Sequence, residues 1–88
     1  MITKDIDDYG TVRYYNEQGQ LHREDGPARV YADGTKSWYI NGKRHREDGP
    51  AVEWSDGDKE WYLNEQQITE QEFNEYILKK RLQKILEL

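Results

Sequence analysis

The chain has no cysteine, so neither a disulfide framework nor a thiolate metal site is open to it. Only 34% of its 88 residues are hydrophobic, and there is one methionine, one phenylalanine and two prolines. No run is apolar enough to span a bilayer, and the N-terminus lacks an apolar signal core. The expectation is a soluble, cytoplasmic protein. Serine occurs twice, at Ser37 and Ser55, and neither lies in a nucleophile motif. The glycines stand singly, so no phosphate-cradling loop is present. One small domain with little core is all this length allows.

What is present is charge, aromatic residues and a repeat. Charged residues reach 35% and the net charge is −5. Residues 1–68 hold 14 acidic and 9 basic side chains and so carry the whole excess, while the remainder holds four of each. Such an acidic body argues against nucleic acid as a direct partner, because phosphates need a clustered cationic face. It suits a basic protein surface. Aromatics make up 12%, enough for a narrow aromatic core where aliphatics are scarce.

Seven residues, His22-Arg23-Glu24-Asp25-Gly26-Pro27-Ala28, recur unchanged as His45-Arg46-Glu47-Asp48-Gly49-Pro50-Ala51, an offset of 23. Tyr31, Asp33, Gly34, Lys36, Trp38, Tyr39 and Asn41 likewise map onto Trp54, Asp56, Gly57, Lys59, Trp61, Tyr62 and Asn64. Towards the start, Gly10-Thr11 and Tyr14-Tyr15 echo Gly34-Thr35 and Trp38-Tyr39 at an offset of 24. One extra residue therefore belongs in the turn after Tyr15. A fixed period of this kind means stacked supersecondary units rather than a fold around an enclosed cleft.

Each unit reads as a small antiparallel meander. Ala28–Ala32 and Lys36–Ile40 are strands joined at Asp33-Gly34, and Lys43–Arg46 is a short third strand after Asn41-Gly42. Both dipeptides suit tight hairpins. Alternation along the strands gives an inferred core of Val12, Tyr14, Tyr31, Trp38, Ile40, Val52, Trp54, Trp61 and Leu63. Tyr15, Tyr39 and Tyr62 form a row on the other face. That row has two readings: cross-strand packing that supports a thin sheet, or an interface patch, since tyrosine is enriched at hot spots. With the acidic Glu53, Asp58 and Glu60 it is the candidate partner-binding surface.

Residues 69–88 change period. Thr69 and Glu72 fit a capping box, and acidic residues precede Lys79, Lys80, Arg81 and Lys84, which complements the helix dipole. Phe73, Tyr76 and Ile77 form a patch suited to capping the sheet. Leu78, Leu82, Ile85 and Leu86 form a second, rotated by roughly a third of a turn, and are the candidate oligomerisation residues of a homodimer. The fold class is thus mainly β: a single antiparallel repeat sheet over 1–68 with one C-terminal helix over 69–88.

His22 with Glu24, and His45 with Glu47, have the right chemistry for metal ligands, but two histidines in different repeats need not converge. Duplicated residues usually serve the repeat itself, here by bracing the Asp-Gly-Pro turn. No cofactor, metal or catalytic residue is expected, since a site needs convergent groups in a pocket.

The pattern Asp-Gly, Lys-x-Trp-Tyr-x-Asn-Gly, His-Arg-Glu-Asp-Gly-Pro-Ala resembles the aromatic/glycine β-hairpin repeats of the MORN type, in the divergent variety of bacteriophage and giant-virus proteins. The likeness covers about residues 9–67. It implies a non-enzymatic protein-binding scaffold. For a phage source, the small acidic character is similar to that of inhibitors of host defence proteins such as CRISPR effectors, acting in the host cell cytoplasm. An assembly adaptor dimerising through its helix and a peripheral membrane module are the other classes considered.

Overall fold

The computed structural model describes all 88 residues, Met1–Leu88. Strands β1 (Thr3–Ile6), β2 (Val12–Tyr15), β3 (Arg29–Val30), β4 (Lys36–Ser37), β5 (Tyr39–Ile40), β6 (Lys43–Arg44), β7 (Val52–Glu53), β8 (Lys59–Leu63) and β9 (Gln66–Ile68) precede the helix α1 (Glu70–Leu86). Seven of them form one antiparallel sheet in the order β1-β2-β3-β4-β7-β8-β9, and β5 with β6 makes a separate hairpin. The fold is therefore mainly β with a C-terminal helix, as expected. The body is a thin slab of 49 × 32 × 18 Å.

Two kinds of turn build the repeat. Asn41 and Gly42 take φ of 49° and 81°, and Ile40 pairs with Lys43 across them. That is a two-residue hairpin with both central residues left-handed, which is why asparagine and glycine occur there. The Asp-Gly turns are different. The Trp54 N–H donates to the Asp58 carbonyl at 2.8 Å, and Gly57, with φ of 97°, donates to the Trp54 carbonyl at 2.9 Å. Tyr31, Gly34 and Thr35 repeat this arrangement. Each is a three-residue loop ending in a left-handed glycine.

That single residue corrects the inferred core. A two-residue turn at Asp56-Gly57 would set Val52 opposite Trp61 and Trp54 opposite Lys59. The observed register instead pairs Val52 with Glu60 and Glu53 with Lys59. Opposed residues share a face, so a one-residue slip exchanges the faces of a whole strand. Tyr31, Val52 and Trp54 accordingly join Tyr15, Tyr39 and Tyr62. Val12, Tyr14, Trp38, Ile40, Trp61 and Leu63 keep the other face. Neither face is the sole core: only eight residues are buried, among them Ala28, Ala51, Val52, Tyr62 and Phe73.

The insertion after Tyr15 is also visible. Tyr15 pairs with Leu21, as Tyr39 pairs with Arg44. Between them, the Asn16 N–H donates to the Gln20 carbonyl at 2.9 Å and Gly19 donates back to Asn16 at 3.0 Å. A three-residue turn thus replaces the two-residue one, and the offset changes from 24 to 23 there.

The capping box on α1 is complete: Thr69 accepts from the Glu72 N–H, and Glu72 accepts from the Thr69 N–H. Phe73 is buried and Ile77 half-buried against the sheet, while Tyr76 is exposed. Leu78, Leu82, Ile85 and Leu86 are each more than half exposed. At about 100° per residue this stripe lies roughly 145° round the helix from Phe73 and Ile77. Leu78 borders the groove beside Glu47 and Asp48, and Leu82, Ile85 and Leu86 carry the stripe on along the helix.

Candidate partner-binding surfaces

The repeated heptapeptide folds into the same tile twice. The His22 Nδ1 accepts from the Asn41 N–H at 2.9 Å, and the His45 Nδ1 from the Asn64 N–H at 3.1 Å. Each histidine thereby holds the next hairpin turn. The Arg23 Nε donates to Asp25 at 3.0 Å and its Nη1 to the Pro27 carbonyl at 3.2 Å. Arg46 donates likewise to Asp48 at 2.7 Å and the Pro50 carbonyl at 3.0 Å. The Arg23 guanidinium lies 4.1 Å from the Tyr14 ring centre, and that of Arg46 lies 3.7 Å from Trp38. A Cβ on Gly26 or Gly49 would meet the same guanidinium at 3.0 Å. A side chain there would push that guanidinium aside by a few tenths of an ångström, so glycine lets arginine sit undisturbed between backbone and aromatic ring. The duplicated residues thus form turn braces, and no group of three His, Cys, Asp or Glu is arranged to hold a metal ion.

The tyrosine face is more closed than its sequence pattern implies. Tyr62 is 7% exposed and packs with Ala51 and Val52, so it is not part of an open row. Its hydroxyl donates to Glu60 at 2.9 Å and accepts from Arg44 at 3.2 Å. Burial first, then donation to Glu60, pushes its pKa up. Tyr15 and Tyr39 are half-buried. Glu60 shares this face, but both its oxygens are engaged, one by Tyr62 and one by the Trp54 indole N–H at 2.8 Å. Glu53 lies on the opposite face, opposed to Lys36 and Lys59, and accepts from Arg46 at 2.8 Å. Asp58 is exposed in the turn after Trp54. The six candidates therefore do not form one patch.

Trp54 is the most exposed of the three residues that the sequence pattern misplaces. It is 46% exposed on the tyrosine face, held by Glu60. Beyond it, Arg44 donates from backbone and side chain to Glu65, whose carboxyl is held below its ordinary range by that contact. Glu65 occupies the position of Gly42 and takes φ of 71°. On the helix side, Lys80 donates to Glu47 and thereby lowers the Glu47 pKa and raises its own.

Compared with known proteins, the chain matches no family model, no curated protein and no solved structure. No helix is long and apolar enough to cross a membrane.

Proposed function

We propose that the chain is a non-catalytic protein-binding repeat module. The observation that carries this reading is the exposed stripe of Leu78, Leu82, Ile85 and Leu86 on a helix whose other side already caps the sheet. Monomers seldom leave such a stripe in water. A slab with only eight buried residues also offers little enclosed space for converging catalytic groups. The narrower reading is a small viral protein of the MORN-like kind that occupies a surface of a host defence protein such as a CRISPR effector, in the host cytoplasm. Its support is the heptapeptide pattern and the acidic charge. The exposed stripe equally favours a second reading, an assembly adaptor that pairs two copies through α1.

The test is capture from the natural host's lysate on the immobilised full chain. The expected result is one host protein retained in saturable fashion and released by excess free chain. Retention of nothing that free chain can compete away sinks the binding-module reading.

A further inference from the structure

The two heptapeptide tiles face each other across an open cleft of about 720 Å³. Trp38 and Ile40 line it, with Glu24 and Asp25 on one side and Glu47 and Asp48 on the other. Arg23 and Arg46 also line it, but each is bonded to the aspartate of its own tile. Each arginine is thus matched by its own aspartate, and Glu24 and Glu47 are the carboxylates left over.

The second tile shows what this arrangement takes. Its Glu47 receives the Lys80 ammonium of α1, and the groove beside it is lined by Phe73, Ile77 and Leu78. A lysine seated on the tile's glutamate beside apolar side chains is therefore a contact this chain already makes. Glu24 is the identical residue of the first tile. It is 84% exposed, and its one ionic neighbour is the His22 ring at 3.8 Å.

We propose that the cleft between the tiles is the seat of a lysine side chain of the partner protein, with its ammonium on Glu24 and its alkyl stem against Ile40 and the uncovered part of Trp38. This rests on the reading of the chain as a protein-binding module. The seat is repeated from Glu47 and Lys80, so its chemistry is that of a primary ammonium on an apolar stem. The acidic excess of the repeats steers such a partner, and the tile sets where it docks.

The experiment is a titration of the isotope-labelled full chain with tetralysine at low salt, followed by amide shifts. Expected are shifts confined to residues 22–28, Trp38, Ile40 and the facing wall at residues 45–48, saturating at one equivalent. The exposed pair Glu24→Gln/Asp25→Asn should weaken binding roughly tenfold, as for loss of a charge-assisted contact. Glu70→Gln/Glu75→Gln removes the same charge from α1 and should leave affinity within about twofold. Lys80→Ala opens the Glu47 oxygen that Lys80 holds, leaving the other on His45, and should add a second equivalent. Shifts spread over the whole acidic surface, equal losses in the two double variants, or an unchanged stoichiometry in Lys80→Ala would each overturn the proposal. Failure of the titration leaves the binding-module reading resting on α1. A chain that seats tetralysine as expected yet captures no host protein refutes that reading instead.

Discussion

Removing the guanidinium of Arg46 should be among the costlier single changes in this thin fold. Its side chain is 18% exposed, lies on Trp38 and bonds Asp48, the Pro50 carbonyl and Glu53. The stack is worth about 1 kcal/mol, towards the lower end for cation–π contacts because the site is partly wet. The Pro50 carbonyl contributes roughly another 1 kcal/mol. Glu53 is half-covered and adds about 0.5–1 kcal/mol, while exposed Asp48 adds little. Arg46→Ala should therefore cost about 3 kcal/mol, a large share of the stability of so small a domain. Arg46→Lys should restore little, since an ammonium cannot make the forked contacts. Arg23→Ala should cost less, because Val30 stands where the second tile has Glu53. The sharper measurement is a cycle with Gly49→Ala. The added Cβ meets the guanidinium at 3.0 Å with Trp38 behind it. That overpacking should cost about 1–2 kcal/mol with Arg46 present. It should cost nothing, or gain a few tenths of a kcal/mol, once Arg46 is alanine. Urea unfolding followed by tryptophan fluorescence gives all four corners. Additivity to within about 0.3 kcal/mol would refute the claim that glycine and ring clamp the arginine.

Tyr62→Ala should cost about 3–5 kcal/mol and half-buried Tyr39→Ala well under half of that; equal losses in thermal unfolding would reverse the burial argument. Stability should fall in acid. Glu47 and Glu65 have folded pKa values below the ordinary 4.5, lowered chiefly by Lys80 and by Arg44 respectively. The unfolded chain thus takes up protons first, and their contribution is complete above about pH 4.5 and lost as pH falls through the lowered values. Glu65→Gln should flatten that acid limb in a melting series, and an unchanged limb would remove the Arg44 contact as its cause. Pure protein should sediment as a dimer that Leu82→Glu dissociates. A monomer at micromolar concentration, indifferent to that change, would assign the stripe to a different partner.

The period, the turns and the helix cap are legible in the residues because each is local. The capping box needs only Thr69 and Glu72. The extra turn residue after Tyr15 follows from the change of offset. The faces are not legible in the same way. Alternation within Lys59–Leu63 separates Trp61 from Tyr62, but matching that strand to Val52 depends on the turn between them. Asp-Gly suits both a two-residue hairpin and the last two positions of a three-residue one, and the second is what forms. Hence alternation alone places Trp54 in the core with Trp61, whereas it lies beside Glu60. Tyr62 illustrates a different gap. Three equivalent tyrosines look alike in sequence, yet only Tyr62 is buried, beside Val52, where the preceding unit has Arg29. The arginine sandwich is invisible to pattern, although an invariant glycine three residues after each arginine was the available sign.

Strand order in the sheet follows chain order except that β7 joins β4 across the small β5–β6 hairpin. Every pairing can therefore close soon after its second strand exists, and no strand waits for a remote partner. The widest closures join Tyr15 to Arg29 and Ser37 to Val52, spans of modest closure entropy that favour quick folding for a β-protein. On a ribosome, the tiles can set one after another as they emerge. The exception is the last layer, Trp61 to Leu63, whose cover arrives with Phe73 and Ile77. Synthesis therefore passes through a stage in which the sheet is built and its end is uncapped, and that interval is when the nascent chain is most open to mispairing with a neighbour.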